Sequence, residues 1–387
     1  MTSKLATSAL CLALLLPAAA SADTASDAAD LIPYLVDELD DVRGAIEGRA
    51  EGGEGGWFTD GAADYQADLD HLLDRALDLI VPEAHALWTE EARRIDEALE
   101  EAEALQAELT IERQTARRSE GARMVDRLLG REHPPGTIEG LETRLAEAED
   151  AVRTLKAERE AAAAGLAADL RAEHGIELTP DQARAALLSV HGGLMIESAV
   201  VVRVLAAVEA QLGGALKVKF EGETGRRYLG AASITRLVHA RMLARHLAAY
   251  DDEWLPRLGE MRAETSTLLA ETQELRRSAK SEAARAAYER NAATQERILG
   301  VVDQYEALLR NRRATTETAL RQATERADVA INTLETLDAA TDISGLSDQA
   351  WSEFEAVSEI DVPELLVLEG EDFDQFLDIS RQLGAGM

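Results

Sequence analysis

The chain has a single cysteine, Cys11, among its 387 residues. It lies in an N-terminal apolar run, so a chain that has lost that run holds no thiol, and no intrachain disulfide can form at any stage. Stability must then come from burial and length alone. Proline is scarce at 8 residues, and none falls between Pro82 and Pro134, which leaves that stretch free to run as one helix. Basic residues number 40 against 73 acids, for a formal charge of −33. That imbalance excludes nucleic acid as a partner, because affinity for it rests on neutralising phosphates. There are only 7 histidines. His239 and His246 share a helix face, but seven residues put about 10.5 Å between them along the axis, too far to meet at one ion. A zinc-protease helix motif, a serine nucleophile elbow, a phosphate-binding glycine loop and a calcium-loop signature are all missing. The chain reads as non-enzymatic, with no cofactor and no metal site.

Residues 1–22 combine Lys4, an apolar run from Leu5 to Leu16 and a small-residue ending, Ala20-Ser21-Ala22. This is the pattern of a secretory signal peptide, and the run is too short to span a bilayer core of about 30 Å. The protein is expected to be exported, to the periplasm or the extracellular space.

Residues 23–64 are acidic and end in the glycine-studded EGGEGGWFTDG, which reads as a flexible lead-in. Residues 65–175 read as a short amphipathic helix followed by a helical hairpin. Trp88, Ile95, Ala102 and Leu109 recur every seven residues, and Ile138, Leu141, Leu145, Ala148, Val152 and Leu155 step by three and four. Such seams call for a partner helix, and a short connection makes the pair antiparallel. Thr137 is placed to cap the second helix, which ends near His174-Gly175. Residues 176–250 form a compact apolar and basic head. Thr179, Pro180 and Gln182 start a helix there, Gly213-Gly214 stops it, and LKVKFEGETGRRYLG alternates as a β-hairpin does. Residues 251–340 are a long helix with a bend or reversal in RRSAKSEAARA or near Gly300. The predicted fold class is all-α, an elongated bundle of long coiled-coil-like helices carrying a small helical head with a β-hairpin.

The most apolar stretch, LLSVHGGLMIESAVVVRVLAAVEAQL at residues 187–212, either enters a membrane or fills a core. About ten strong apolar side chains favour insertion by roughly 5 kcal/mol in total, and Arg203 with Glu197 and Glu209 cancels most of that. Six-residue steps send these three charges in three directions around a helix axis. A pore-lining helix gathers its charges on one wet face, so the spacing favours a helix buried among neighbours.

From Thr224 to Tyr250 there is no acid, whereas Arg226, Arg227, Arg236, Arg241 and Arg245 are all present. Such a basic island needs an anionic counterpart. That is either internal, on the acidic helices or the tail at 341–387, or external, on anionic lipid headgroups or an acidic protein. The tail joins acids to apolar residues, with Phe373, Phe376 and Leu377 at the spacing of a short amphipathic helix laid in a groove, on its own body or on a partner. The sequence therefore suggests a non-enzymatic coiled-coil scaffold of the cell envelope, meeting an envelope protein or another copy of itself through the basic head and the acidic aromatic tail. The arrangement of long helices flanking an apolar insert behind a signal peptide also resembles that of secreted α-helical pore-forming toxins of the cytolysin and haemolysin type. That resemblance covers most of the chain in layout, shares no motif, and implies a membrane-active alternative.

Overall fold

A computed structural model describes residues 22–52, 61–80, 83–116, 136–188, 192–218 and 223–339. The fold is all-α, and no strand occurs among the described residues. Helices α1 (Ala22–Asp37), α2 (Leu39–Glu51) and α3 (Ala62–Ile80) open the chain. The first two replace the expected flexible lead-in. Ala28, Leu31, Leu35, Leu39, Val42 and Ala45 recur every three or four residues and are all buried, an apolar stripe that outweighs Pro33 and the intervening acids. α2 lies antiparallel to α3, with Arg49 Nη1 donating to Gln66 Oε1 at 2.9 Å. Trp57 and Phe58 of the glycine-studded stretch lie outside the described residues.

Helices α4 (Glu83–Thr115) and α5 (Ile138–His174) form the antiparallel hairpin that the heptads predict. Three contacts hold one register along it. Trp88 Nε1 donates to Asp169 at 2.7 Å, Lys156 pairs with Glu103 at 2.9 Å, and Arg113 pairs with Glu142 at 2.8 Å. Thr137 caps α5 as expected, its hydroxyl accepting from the Gly140 N–H at 3.2 Å. Gly175 closes it at φ 64°, the left-handed conformation that a side chain would strain.

Helix α6 (Pro180–Leu188) starts at the predicted capping box. Thr179 N–H donates to Gln182 Oε1 at 2.9 Å, and Gln182 N–H donates to Thr179 Oγ1 at 3.2 Å. The apolar stretch then begins a new helix, α7 (Gly192–Val218), which continues through Gly213-Gly214. Next comes α8 (Glu223–Ala248), so the β-hairpin predicted over residues 216–230 is corrected: its described residues are helical on both sides. Leu229 is buried and Gly230 lies hard against the Leu39 side chain. Tertiary burial of this helical face prevails over a short alternating pattern.

A π-helical turn at Ala249–Trp254 carries α8 directly into α9 (Leu255–Ser278), so the backbone is helical from Glu223 to Ser278. Pro256 has no N–H to donate one turn back, and the wider turn falls where that bond is lost. The chain reverses after Ser278, within the predicted RRSAKSEAARA, and α10 (Glu282–Ala339) returns unbroken through Gly300. It runs antiparallel first to α9, where Gln295 donates to Thr272 at 3.1 Å, and then to α8, where the Ser233 hydroxyl reaches the Ala330 carbonyl at 3.3 Å. Its 58 residues make a rod of about 87 Å.

The centre of the molecule is α8, surrounded by α1, α2, α3, α7 and α10. One continuous apolar core extends from α1 to α10. The α4–α5 hairpin leaves it and carries a small separate cluster of Leu109, Leu141 and Ala148. Beyond the π turn, α9 packs chiefly on α10. Residues 176–250 are thus the interior of the body, continuous with the second arm.

Candidate functional site

Because α8 is central, its arginines meet carboxylates from other helices. Arg241 forks between two of them. Its Nε and Nη2 donate to Asp74 at 2.8 and 2.7 Å, and its Nη1 donates to Asp70 at 2.7 Å. Arg245 lies 3.8 Å from Asp74. Arg236, only 4 % exposed, faces Glu209 of α7 at 3.3 Å. Arg227 stays exposed and donates to the Val36 carbonyl at 3.4 Å, while Arg226 is half-buried. Of the two counterparts open to the basic island, the internal one is met by Arg236, Arg241 and Arg245, which the packing of α8 under α3 and α7 sets against carboxylates of the body. Phe373, Phe376 and Leu377 lie outside the described residues.

The two ion pairs are tuned in opposite directions. Burial pushes the Glu209 carboxyl up to about 7, with Arg236 pulling against it, and the same burial lowers the Arg236 guanidinium. The hydrogen bond from Arg241 instead holds Asp74 below the usual carboxylate range. Charge is favoured where water still reaches and opposed where it does not.

Each of the three charges on the apolar helix has a partner of its own. Glu197 Oε2 lies 3.8 Å from His246 Nε2, Arg203 donates to the Gly175 carbonyl at 3.1 Å, and Glu209 meets Arg236. Val200, Val201, Val204, Leu205 and Val208 are at 0 % exposure, so α7 is core. Among the described residues no single helix is long and apolar enough to cross a membrane, although α6 and α7 taken together, as a bent pair, are.

His246 Nδ1 also lies 3.2 Å from Ser198 Oγ. With Glu197 at its other nitrogen, the group has the composition of a nucleophilic relay. Ser198 and His246 are both buried, and their contact is a polar joint between α7 and α8. Among the described residues no three histidines or carboxylates stand close enough to hold a metal ion.

Sequence reasoning missed Arg312. From α10 it enters the core beside the π turn, where its Nη1 lies 3.4 Å from Met195 Sδ. Burial lowers its guanidinium against the pull of Tyr250 and raises the Tyr250 hydroxyl. Tyr250 meets Trp254 edge to face at 4.9 Å. The signal was available: Arg312 occupies the three-four step between Leu309 and Thr316, a core position.

Large apolar side chains stand exposed on the arms, as Leu79 and Val329 do on the body. Leu105 and Ile111 are exposed on the α4–α5 hairpin, and Leu268, Leu275 and Ile298 on the α9–α10 hairpin. Comparison with protein-family models, curated proteins and solved structures returns no match.

Proposed function

We propose that this chain is an exported, non-enzymatic helical scaffold of the cell envelope, periplasmic or extracellular, that meets an envelope protein or another copy of itself. The observation behind this reading is the division of labour between body and arms. Arg236 and Arg241 of the central helix face carboxylates within the body, and most of the exposed large apolar residues among the described residues, Leu105, Ile111, Leu268, Leu275 and Ile298 included, stand on the two hairpins. Arg226 and Arg227, at the accessible start of α8, and the tail with Phe373, Phe376 and Leu377 are its further contacts. Fractionation of cells carrying the full chain, followed by cross-linking in the exported fraction, tests it. The expected result is an exported protein cross-linked to a protein through the arms, and a chain retained in the cytoplasm overturns it.

A second reading, a membrane-active protein, is favoured by the bent pair α6–α7, which has the length and apolar composition of a span. Against it stand the burial of α7 and the separate partner of each of its charges. Flotation with anionic vesicles separates the two. The scaffold leaves residues 192–218 protected inside the body, whereas lodging of that segment in lipid supports the second reading.

A further inference from the structure

Among the described residues, the far end of the α9–α10 hairpin is a basic region of this acidic chain. Between residues 276 and 290 stand Arg276, Arg277, Lys280, Arg285 and Arg290, with only Glu282 and Glu289 as acids, in a chain of formal charge −33. Arg277 pairs with Glu274 at 2.9 Å, on the surface. Among the described residues the side chains of Arg276, Lys280, Arg285 and Arg290 enter no ion pair.

An apolar row lies beside these charges. Leu268 and Leu275 are 51 % and 49 % exposed, and Ile298 is 40 % exposed. The hydrogen bond between Thr272 and Gln295 fixes a register that sets Ile298 opposite Leu268. Leu258 and Thr272 face α10 and are buried. Leu268 and Leu275, the alternate members of the same three-four step, stand open along one side of a two-helix arm. A coiled-coil stripe half used in this way fits one more amphipathic helix.

The chain carries a segment of complementary chemistry. Residues 364–378, ELLVLEGEDFDQFLD, join Glu364, Glu369, Glu371, Asp372, Asp374 and Asp378 to leucines and phenylalanines, and no basic residue occurs from 340 to 380. Reach is sufficient. From Ala339, the end of α10, back to Arg290 is about 74 Å of helix, and the chain from Ala339 to Phe373 can extend to about 115 Å. An anionic bilayer offers the same charge, but a chain of formal charge −33 is repelled by it, whereas a tethered tail needs no encounter.

We infer that the tip of the α9–α10 arm is the docking surface for the acidic aromatic tail, residues 364–378, of this chain. The Leu268–Leu275–Ile298 row takes the tail's phenylalanines and leucines, and Arg276, Lys280, Arg285 and Arg290 take its carboxylates. The inference deepens the proposed function, since it rests on the tail being a contact element and names what the tail contacts. When the tail comes from a neighbouring copy, the same contact links scaffold molecules.

The absence of other cysteines makes a test direct. The full chain with Cys11→Ser, Ala279→Cys and Gln375→Cys is treated with a short bismaleimide. The expected result is a cross-link, within one chain or between two, that falls to background in high salt and when Arg276, Arg277 and Lys280 are all changed to Glu. Circular dichroism establishes that the variant stays helical, and a synthetic peptide of residues 361–380 competes the cross-link away from the unreversed chain. A cross-link that never forms, or one that ignores charge reversal and peptide, overturns the inference. So does flotation on anionic vesicles that depends on the same three residues while the tail stays unlinked. The scaffold reading fails separately, by retention of the chain in the cytoplasm.

Discussion

Glu209 and Asp74 hold the central helix from two sides and respond to pH in opposite ways. For Glu209 the folded value of about 7 lies above the ordinary 4.5. Between those values the folded protein binds a proton that the unfolded chain has released, so this carboxyl weakens folding as pH rises through the window, by up to about 3 kcal/mol. The Glu209→Gln variant should lack that decline. Thermal unfolding at pH 5 and pH 8 should show wild type losing more stability than the variant between the two. Asp74 is depressed in the folded state, so its contribution is present above the ordinary 3.8 and is lost as pH falls below it. Arg241→Ala removes the fork to Asp70 and Asp74 and should cost about 1 to 2 kcal/mol in urea unfolding, the half-exposed site tempering the loss. Arg241→Lys should recover only part, because an ammonium cannot fork between both carboxylates. The basic island was legible in the sequence from the missing acids. Its orientation was not, because Asp70 lies 171 residues from Arg241 and only tertiary packing brings α3 over α8.

Capped helix ends were legible, since caps are local chemistry, whereas the stop expected at Gly213-Gly214 failed because α7 runs through it. Thr137, the Thr179–Gln182 box and Gly175 each act where their residue type requires it. The first two helices were hidden by composition: acids, Pro33 and a nearby glycine cluster suggested a loose lead-in, while the stripe from Ala28 to Ala45 was present throughout. The β-hairpin expectation failed because alternation over a few residues cannot compete with a helical face that buries Leu229 against the body. The α4–α5 hairpin has a close joint at its base, where a Cβ added to Gly165 would lie 2.3 Å from the Trp88 ring. Trp88 is held by its bond to Asp169 and cannot yield freely. Alanine is the better helix former by about 1 kcal/mol, yet Gly165→Ala should destabilise by about 1 to 2 kcal/mol through overpacking, read by chemical denaturation. On the apolar helix, Leu205→Ala should cost about 2 to 5 kcal/mol, since Leu205 is at 0 % exposure; a loss under about 1 kcal/mol would contradict a core role for α7.

At the scale of the whole molecule, one helix sets the length. α10 serves both as a wall of the body, through Tyr305, Leu309 and Leu334, and as half of an arm that reaches well past it. Seven-residue seams made the elongated helical class legible. They did not reveal that α8 and α9 are one continuous support, because Pro256 and the acids at the π turn read as a boundary. Small-angle scattering of the full chain in dilute solution tests this arrangement most directly. A compact particle of 387 residues has a radius of gyration of about 21 Å and a diameter near 55 Å. The unbroken α10 rod predicts a maximum dimension above about 85 Å with a radius of gyration well beyond the compact value; a monomer profile with no distance beyond about 60 Å would contradict it.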